Sequence, residues 1–324
     1  MIFIFGAPRS GTSWLGKIFD SNPDTLYSAE PDKELRNTDI PFLCSDQGIP
    51  VFQEATARYT EELMDVHNSN ALGSPPFLRK AYHSDIQNAV RKSTICTVKS
   101  LARIKGLSGP FGNINVPDFA DYSGNTGIVP VIKSVGSMGR VGLYLAGVPD
   151  AKAIIIVRHP CGHIASVISG RRTRNLPLTV AVALGGIGET KPAKDRGMDQ
   201  KTLENLPLLD QLAWRWLVLN EMAIHQAAAS ENSLVLKYED LCAVPAARRL
   251  FEFSKLSWAQ QTENFVAEST ASRNRDGTGY FSVNRAPLVA AMKWKEQLSK
   301  DEVATIRDIV MESQPGQLFA DAFD

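Results

Sequence analysis

The chain has 324 residues, enough for one large α/β domain or two small ones, and its 44% hydrophobic content supports a substantial core. Lys plus Arg and Asp plus Glu both number 35, so the formal charge is zero; a nucleic-acid or anionic-membrane binder would carry a basic excess, and neither partner is expected. Cys44, Cys96, Cys161 and Cys242 are scattered without a CxxC pair or a histidine at ligand spacing, which argues for reduced core thiols in a cytoplasmic protein and against a disulfide frame or a metal site.

Ile2 to Phe5 (IFIF) reads as a short buried strand, followed by the loop GAPRSG and a helix opening at TSWLGKIF, with Trp14, Leu15, Ile18 and Phe19 on one side. Gly6 and Gly11 keep the spacing of a phosphate-binding loop, G-x-x-x-x-G-K-[ST]. Thr12, however, stands where that pattern has lysine, and the cation sits inside the loop as Arg9. The lysine that would reach the β- and γ-phosphates of a nucleoside triphosphate is therefore missing. What remains is a cradle of backbone amides, the Arg9 fork and the hydroxyls of Ser10, Thr12 and Ser13, suited to an anion that needs no metal. The apolar opening is too short for a secretory signal. Leu176 to Gly188 is too short and too glycine-rich to cross a bilayer, so no membrane span is expected.

Pro23 ends the first helix, and TLYSAEP reads as a second short strand. Residues 32 to 130 are less regular, with helical stretches near Val51 to Val66 and Ser84 to Lys92. Ile128 to Ser134 is a buried strand, Gly139 to Pro149 a helix, and AKAIIIVRHP (Ala151 to Pro160) an unbroken apolar strand. Pro160 suits a first helical position, and CGHIASVISG follows as a helix that Gly170 is expected to stop. Leu208 to Ala229 forms a long helix with Leu212, Trp216, Leu219 and Ala223 on one stripe, and Ser233 to Leu241 a last strand ending in a polar cluster. This alternation predicts a P-loop-type three-layer α/β fold, a central parallel sheet flanked by helices. Ligands of such sheets collect at the carboxyl ends of the strands, where the glycine loop, Arg158 and Tyr238 all fall.

GAPRSGTSWL resembles the 5′-phosphosulfate-binding loop of sulfotransferases that use 3′-phosphoadenosine 5′-phosphosulfate (PAPS). IIIVRHPCGHIASVISG resembles that family's 3′-phosphate-binding strand and helix, with Arg158 and, eight positions on, Ser166. LKYEDL resembles the strand end whose tyrosine lies by the adenine, and YFSVNRAPLVAAMKWKEQLSKDE the C-terminal segment of the carbohydrate and tyrosyl-protein branches. The resemblance implies that Arg9, Ser10, Gly11, Thr12, Ser13 and Trp14 hold the 5′-phosphosulfate, Arg158 and Ser166 the 3′-phosphate, and Tyr238 the adenine edge. Ser282 and Arg285 would sit on a flap over the nucleotide, 3′-phosphoadenosine 5′-phosphate (PAP) would be the product, and no metal would be required. It also implies one sulfotransferase domain over residues 1–324, with an irregular acceptor-recognition insertion around 32–127.

Transfer to a hydroxyl needs a base. The family's small-molecule branch carries Lys-x-His before the 3′-phosphate site; here Lys133, Ser134 and Val135 keep the lysine and lose the histidine. The carbohydrate and tyrosyl-protein branches instead use a carboxylate shortly after the first helix, often as Glu-Pro, and LYSAEPDKE supplies Glu30-Pro31. The resemblance thus implies Glu30 as base, with Lys133 stabilising charge on the leaving phosphate oxygen and Arg9 assisting. Asp32 and Glu34 lie near enough to compete, and His83, His159 and His163 are further candidates. The acceptor implied is a hydroxyl-bearing molecule, a carbohydrate on the Glu-Pro feature, with small-molecule alcohols, lipids and protein tyrosine also open. A kinase or nucleoside triphosphatase with an altered loop leaves Arg158 and Ser166 unexplained, and a non-catalytic nucleotide-binding module would keep the fold without the base.

Overall fold

The computed structural model describes residues 1–324 apart from 103, 105–112, 117–126, 175–183, 242–243, 272–286 and 324, and gives the backbone alone at 171–174, 244, 271 and 287–288. Five strands form one sheet: β1 Ile2–Phe5, β2 Thr25–Ala29, β3 Val129–Ser134, β4 Lys152–Val157 and β5 Ser233–Lys237. Their order is β2-β3-β1-β4-β5 and every pairing is parallel. The four residues of β1 are all buried, as a central strand covered on both faces requires. Ile2 pairs with Val131 on one side and with Lys152 on the other. The chain leaves β1 for β2, returns to β3 beside β1, then crosses to β4, so the strand order reverses at the carboxyl end of β1.

Helices cover both faces. On one side Leu15, Ile18 and Phe19 of α1 (Thr12–Asp20) pack with Ile4, Val131, Ile154 and Phe251. On the other, Phe3, Phe5, Ile132 and Ile155 meet helices following β2, β3 and β4. Those helices are, after the short α2 (Pro31–Glu34), α3 (Ile49–Met64), α5 (Val141–Gly147), α6 (Pro160–Arg174) and α7 (Leu208–Ala228); α4 (Asp85–Leu101) lies between α3 and β3 in sequence. The expected stripe on α7 is the buried one, with Leu212, Trp216 and Ala223 at most 1% exposed. No helix among the described residues is long and apolar enough to cross a membrane.

Three local expectations need correction. α4 runs nine residues beyond Lys92, because a capping box between Ser84 and Gln87 starts it and the buried face of Ile95 and Val98 carries it on. Gly170 does not stop α6, which continues to Arg174; a glycine inside a helix weakens it by only about 0.5–1 kcal/mol. Within residues 185–200, Ile187 and Ala193 are buried and a short helix, Lys191–Lys194, forms. Cys44 and Cys161 are core thiols, but Cys96 is exposed on α4, and Cys242 lies outside the described residues.

The far end of α1 is tied down by buried charges. Lys17 and Lys80 contact the Asp20 carboxylate at 2.6 and 2.9 Å, and Lys80 also donates to the Asp20 and Asn22 carbonyls at 2.6 and 3.1 Å. Burial alone would push the Asp20 carboxyl up, but the two ammonium groups outweigh it and hold it well below the usual range.

Candidate active site

The loop after β1 is closed by its own polar atoms. The Ser10 N–H and hydroxyl both donate to the Ala7 carbonyl, at 3.0 and 2.6 Å, so that hydroxyl's proton is committed to the turn. Arg9 and Gly11 have left-handed backbones, with φ of 76° and 95°. Gly11 cannot carry a side chain there, because an added Cβ would overlap the Tyr238 ring. Arg9 has no such excuse; a non-glycine residue in that region is strained by about 1–2 kcal/mol and persists only where its surroundings hold it. The first helical bonds of α1 run from Trp14 and Leu15 to the Gly11 carbonyl, at 3.0 and 3.1 Å. The Thr12 and Ser13 N–H groups therefore stand ahead of the ladder, at the positive end of the helix dipole, where an anion binds.

Three separated segments meet at this loop. Arg9 Nε donates to Ser166 Oγ on α6 at 3.0 Å. Arg158, just past β4, donates to the Arg9 carbonyl at 2.9 Å and to the Ala290 carbonyl at 2.5 Å, and its guanidinium lies 5.2 Å from the centre of the Tyr238 ring. Tyr238, just past β5, is fixed by its N–H to the Val157 carbonyl at 2.8 Å, and Trp14 meets it edge-on with ring centres 6.2 Å apart. Trp14 itself is 6% exposed and donates to Ser269 Oγ at 3.2 Å, so it backs Tyr238 from within the core. Ser13 is exposed at the loop's rim. Ser282 and Arg285 lie outside the described residues.

Three arginines, Arg215, Arg158 and Arg9, bring positive charge to bear on His163 of α6. Burial, reinforced by Arg215, Arg158 and Arg9, lowers the His163 imidazole to about 3. Burial likewise lowers His159 to about 4, and that ring stacks on Trp294 at 4.8 Å, so Trp294 is core. Both histidines are buried, and burial favours their neutral forms. Arg215 on α7, itself lowered by burial, was missed by the sequence reading, although an arginine inside the apolar run LAWRWLVL was a visible signal. Glu239, pushed up by burial, accepts from the His159 N–H at 3.1 Å and steadies the bend after β4. His83 is placed away from the loop, near the amino end of β2, where Ala81 N–H meets the Pro23 carbonyl at 2.9 Å and Tyr82 donates to the Thr25 carbonyl at 3.1 Å.

The three candidate carboxylates separate cleanly. Glu30 follows β2 with a left-handed backbone (φ 56°) and begins α2. Its N–H donates to the Lys133 carbonyl at 2.7 Å, and Lys133 Nζ donates to Glu30 Oε1 at 2.5 Å. The Lys133 side chain is 3% exposed and that of Glu30 28%, so the lysine is fixed within the fold and the carboxylate reaches solvent. Lys133 pairs with Ile4 of β1, two residues before Gly6, which sets the ion pair beside the loop. Asp32 is buried and takes hydroxyl donors from Ser134 and Ser137. Glu34 accepts from Asn68 and Asn70 at 3.0 and 3.1 Å.

The sequence profile described as the Sulfotransferase family matches residues 2–260. Carbohydrate sulfotransferase 4 of Mus musculus is 20% identical over 328 residues, which is 95% of this chain and 78% of that protein. Among solved structures, mouse sulfotransferase SULT7A1 complexed with PAP is similar with a TM-score of 0.42 and 14% identity, over 99% of this chain and 88% of that one. Sulfotransferase STF9 from Mycobacterium avium gives 0.43 and 14%, over 96% and 75%.

Proposed function

The chain belongs to the sulfotransferase family and is a sulfotransferase, and from that premise we propose that it moves the sulfuryl group of PAPS to a hydroxyl of a carbohydrate acceptor. The observation that carries the donor assignment is the meeting of Arg9, Ser166, Arg158 and Tyr238 around one helix N-terminus. The residues fit two anionic ends: backbone amides and Arg9 for the phosphosulfate, and Arg158 with Ser166 for the 3′-phosphate. When bound, PAPS supplies the activated sulfuryl group.

Glu30 takes the acceptor's proton, since it is the solvent-reaching carboxylate beside the loop. Lys133 orients Glu30 in the protein alone and offers its ammonium to the negative charge that develops on the leaving side. Arg9 and the Thr12 and Ser13 amides hold that same charge from below. The irregular segment 32–127 would shape the acceptor's approach to Glu30. The carbohydrate assignment rests on Glu30-Pro31 and on the distant mouse carbohydrate sulfotransferase.

Calorimetric titration of metal-free protein tests the donor site. PAP is expected to bind tightly and ATP with Mg²⁺ weakly; the opposite preference would sink the assignment. Glu30→Gln is expected to lower PAPS turnover by about 10²-fold or more while leaving PAP affinity unchanged, within the range of a lost general base.

A further inference from the structure

We propose that Asp32 is a positioning residue for this reaction, holding the Glu30-Pro31 turn in place from the buried side through Ser134, Ser137 and Arg140. The inference rests on the reading of Glu30 as the base.

Asp32 is two residues past Glu30, and its side chain is 5% exposed. Its Oδ2 accepts from Ser134 Oγ at 2.5 Å and from Ser137 Oγ at 2.9 Å, with Arg140 at 3.8 Å. Arg140 is 1% exposed and is held in turn, its Nε donating to Ser137 Oγ at 3.1 Å and its guanidinium lying 4.6 Å from the centre of the Phe42 ring. A buried carboxylate is costly to desolvate, and an apolar residue would pack more cheaply, so the charge adds little to stability as such. What the network does supply is direction.

Lys133 and Ser134 are consecutive residues at the end of β3, so their side chains leave opposite faces of the strand. Glu30 grips the first and Asp32 the second. The turn between them is therefore clamped on both sides of the β3 terminus. It needs the clamp, because Glu30 sits in a left-handed conformation that a non-glycine residue leaves when its surroundings loosen. Without Asp32 the turn loses its hold on the Ser134 side of the strand, and Glu30 gains freedom to move off line.

The test compares Glu30→Gln, Asp32→Asn and Ser137→Ala, measuring PAPS turnover to PAP with water or a simple monosaccharide as acceptor, PAP affinity by calorimetry and the melting temperature. Asp32→Asn keeps the shape and removes the charge; it is expected to lower kcat about 10- to 100-fold, the scale of an ångström misplacement, with PAP affinity within about twofold of wild type. Ser137→Ala, the milder variant, is expected to lower kcat about threefold or more with the same unchanged affinity. Two results overturn the inference while leaving Glu30 as base: kcat unchanged in Asp32→Asn and Ser137→Ala while Glu30→Gln is inactive, or kcat falling only in step with PAP affinity and folding. Wild-type turnover by Glu30→Gln would instead overturn the base assignment, and the inference with it.

Discussion

Gly11 shows how a single atom decides this site. Its left-handed backbone and the Tyr238 ring against its α-carbon both exclude a side chain. Gly11→Ala is expected to weaken PAP binding at least about tenfold, since left-handed strain and a displaced ring together are worth on the order of 1–3 kcal/mol; calorimetry with PAP reads this directly. An unchanged affinity would mean the ring moves without consequence. That Gly11 mattered was legible from its spacing with Gly6, but the reason was not, because Tyr238 stands 227 positions away in the chain. Glu30 presents the converse case. Its sequence context left it in competition with Asp32 and Glu34, and only the partners of each carboxylate distinguish them: Lys133 for one, Ser134 and Ser137 for the second, two asparagines for the third.

At the scale of the element, α1 has different tasks at its two ends. Its N-terminus is the end proposed to take the donor's anion, and its C-terminal turn buries Lys17 and Asp20 against Lys80, anchoring the chain after residue 76 to the amino end of the sheet. Asp20→Asn would leave two ammonium groups buried without their counter-charge. The expected loss is on the order of 3–5 kcal/mol in urea unfolding, with PAP affinity preserved in the folded protein because the anion end is a helix length away. A loss below about 1 kcal/mol would show that the lysines reach water. The strands and α1 were readable because apolar runs and the glycine loop are local signals. The true length of α4 was not, since tertiary burial of Ile95 and Val98 overrides local propensity, and neither was the continuation of α6 past Gly170, a residue that local rules read as a stop.

Across the whole molecule, the buried imidazoles of His163 and His159 link stability to pH. Each has a folded pKa below its ordinary value of 6.5, at about 3 and about 4, so the unfolded chain takes up the proton first as pH falls. Their stabilising effect is complete above about 6.5 and is lost as pH drops towards those folded values, by up to about 1.4 kcal/mol per pH unit for each histidine. The melting temperature is expected to fall between pH 7 and pH 5, and His163→Gln to flatten that dependence. A wild-type melting temperature that stays level across this range would show that the imidazoles are hydrated.

The chain's order of strands and helices, the parallel sheet and the glycine loop between β1 and α1 were determined by the sequence itself, because hydrophobic period, glycine spacing and helix-start chemistry act between neighbours a few residues apart. The four segments resembling sulfotransferases were legible for the same reason. Tertiary structure alone decided which residues work together. It set Arg9 on Ser166, Arg158 on the Arg9 carbonyl, Tyr238 against Gly11 and Lys133 on Glu30. It also turned two histidines beside the arginines into neutral core and made Asp32 a buried partner of Glu30's turn. Burial and charge at those positions depend on side chains brought in from other strands, and no local pattern in the chain carries that information.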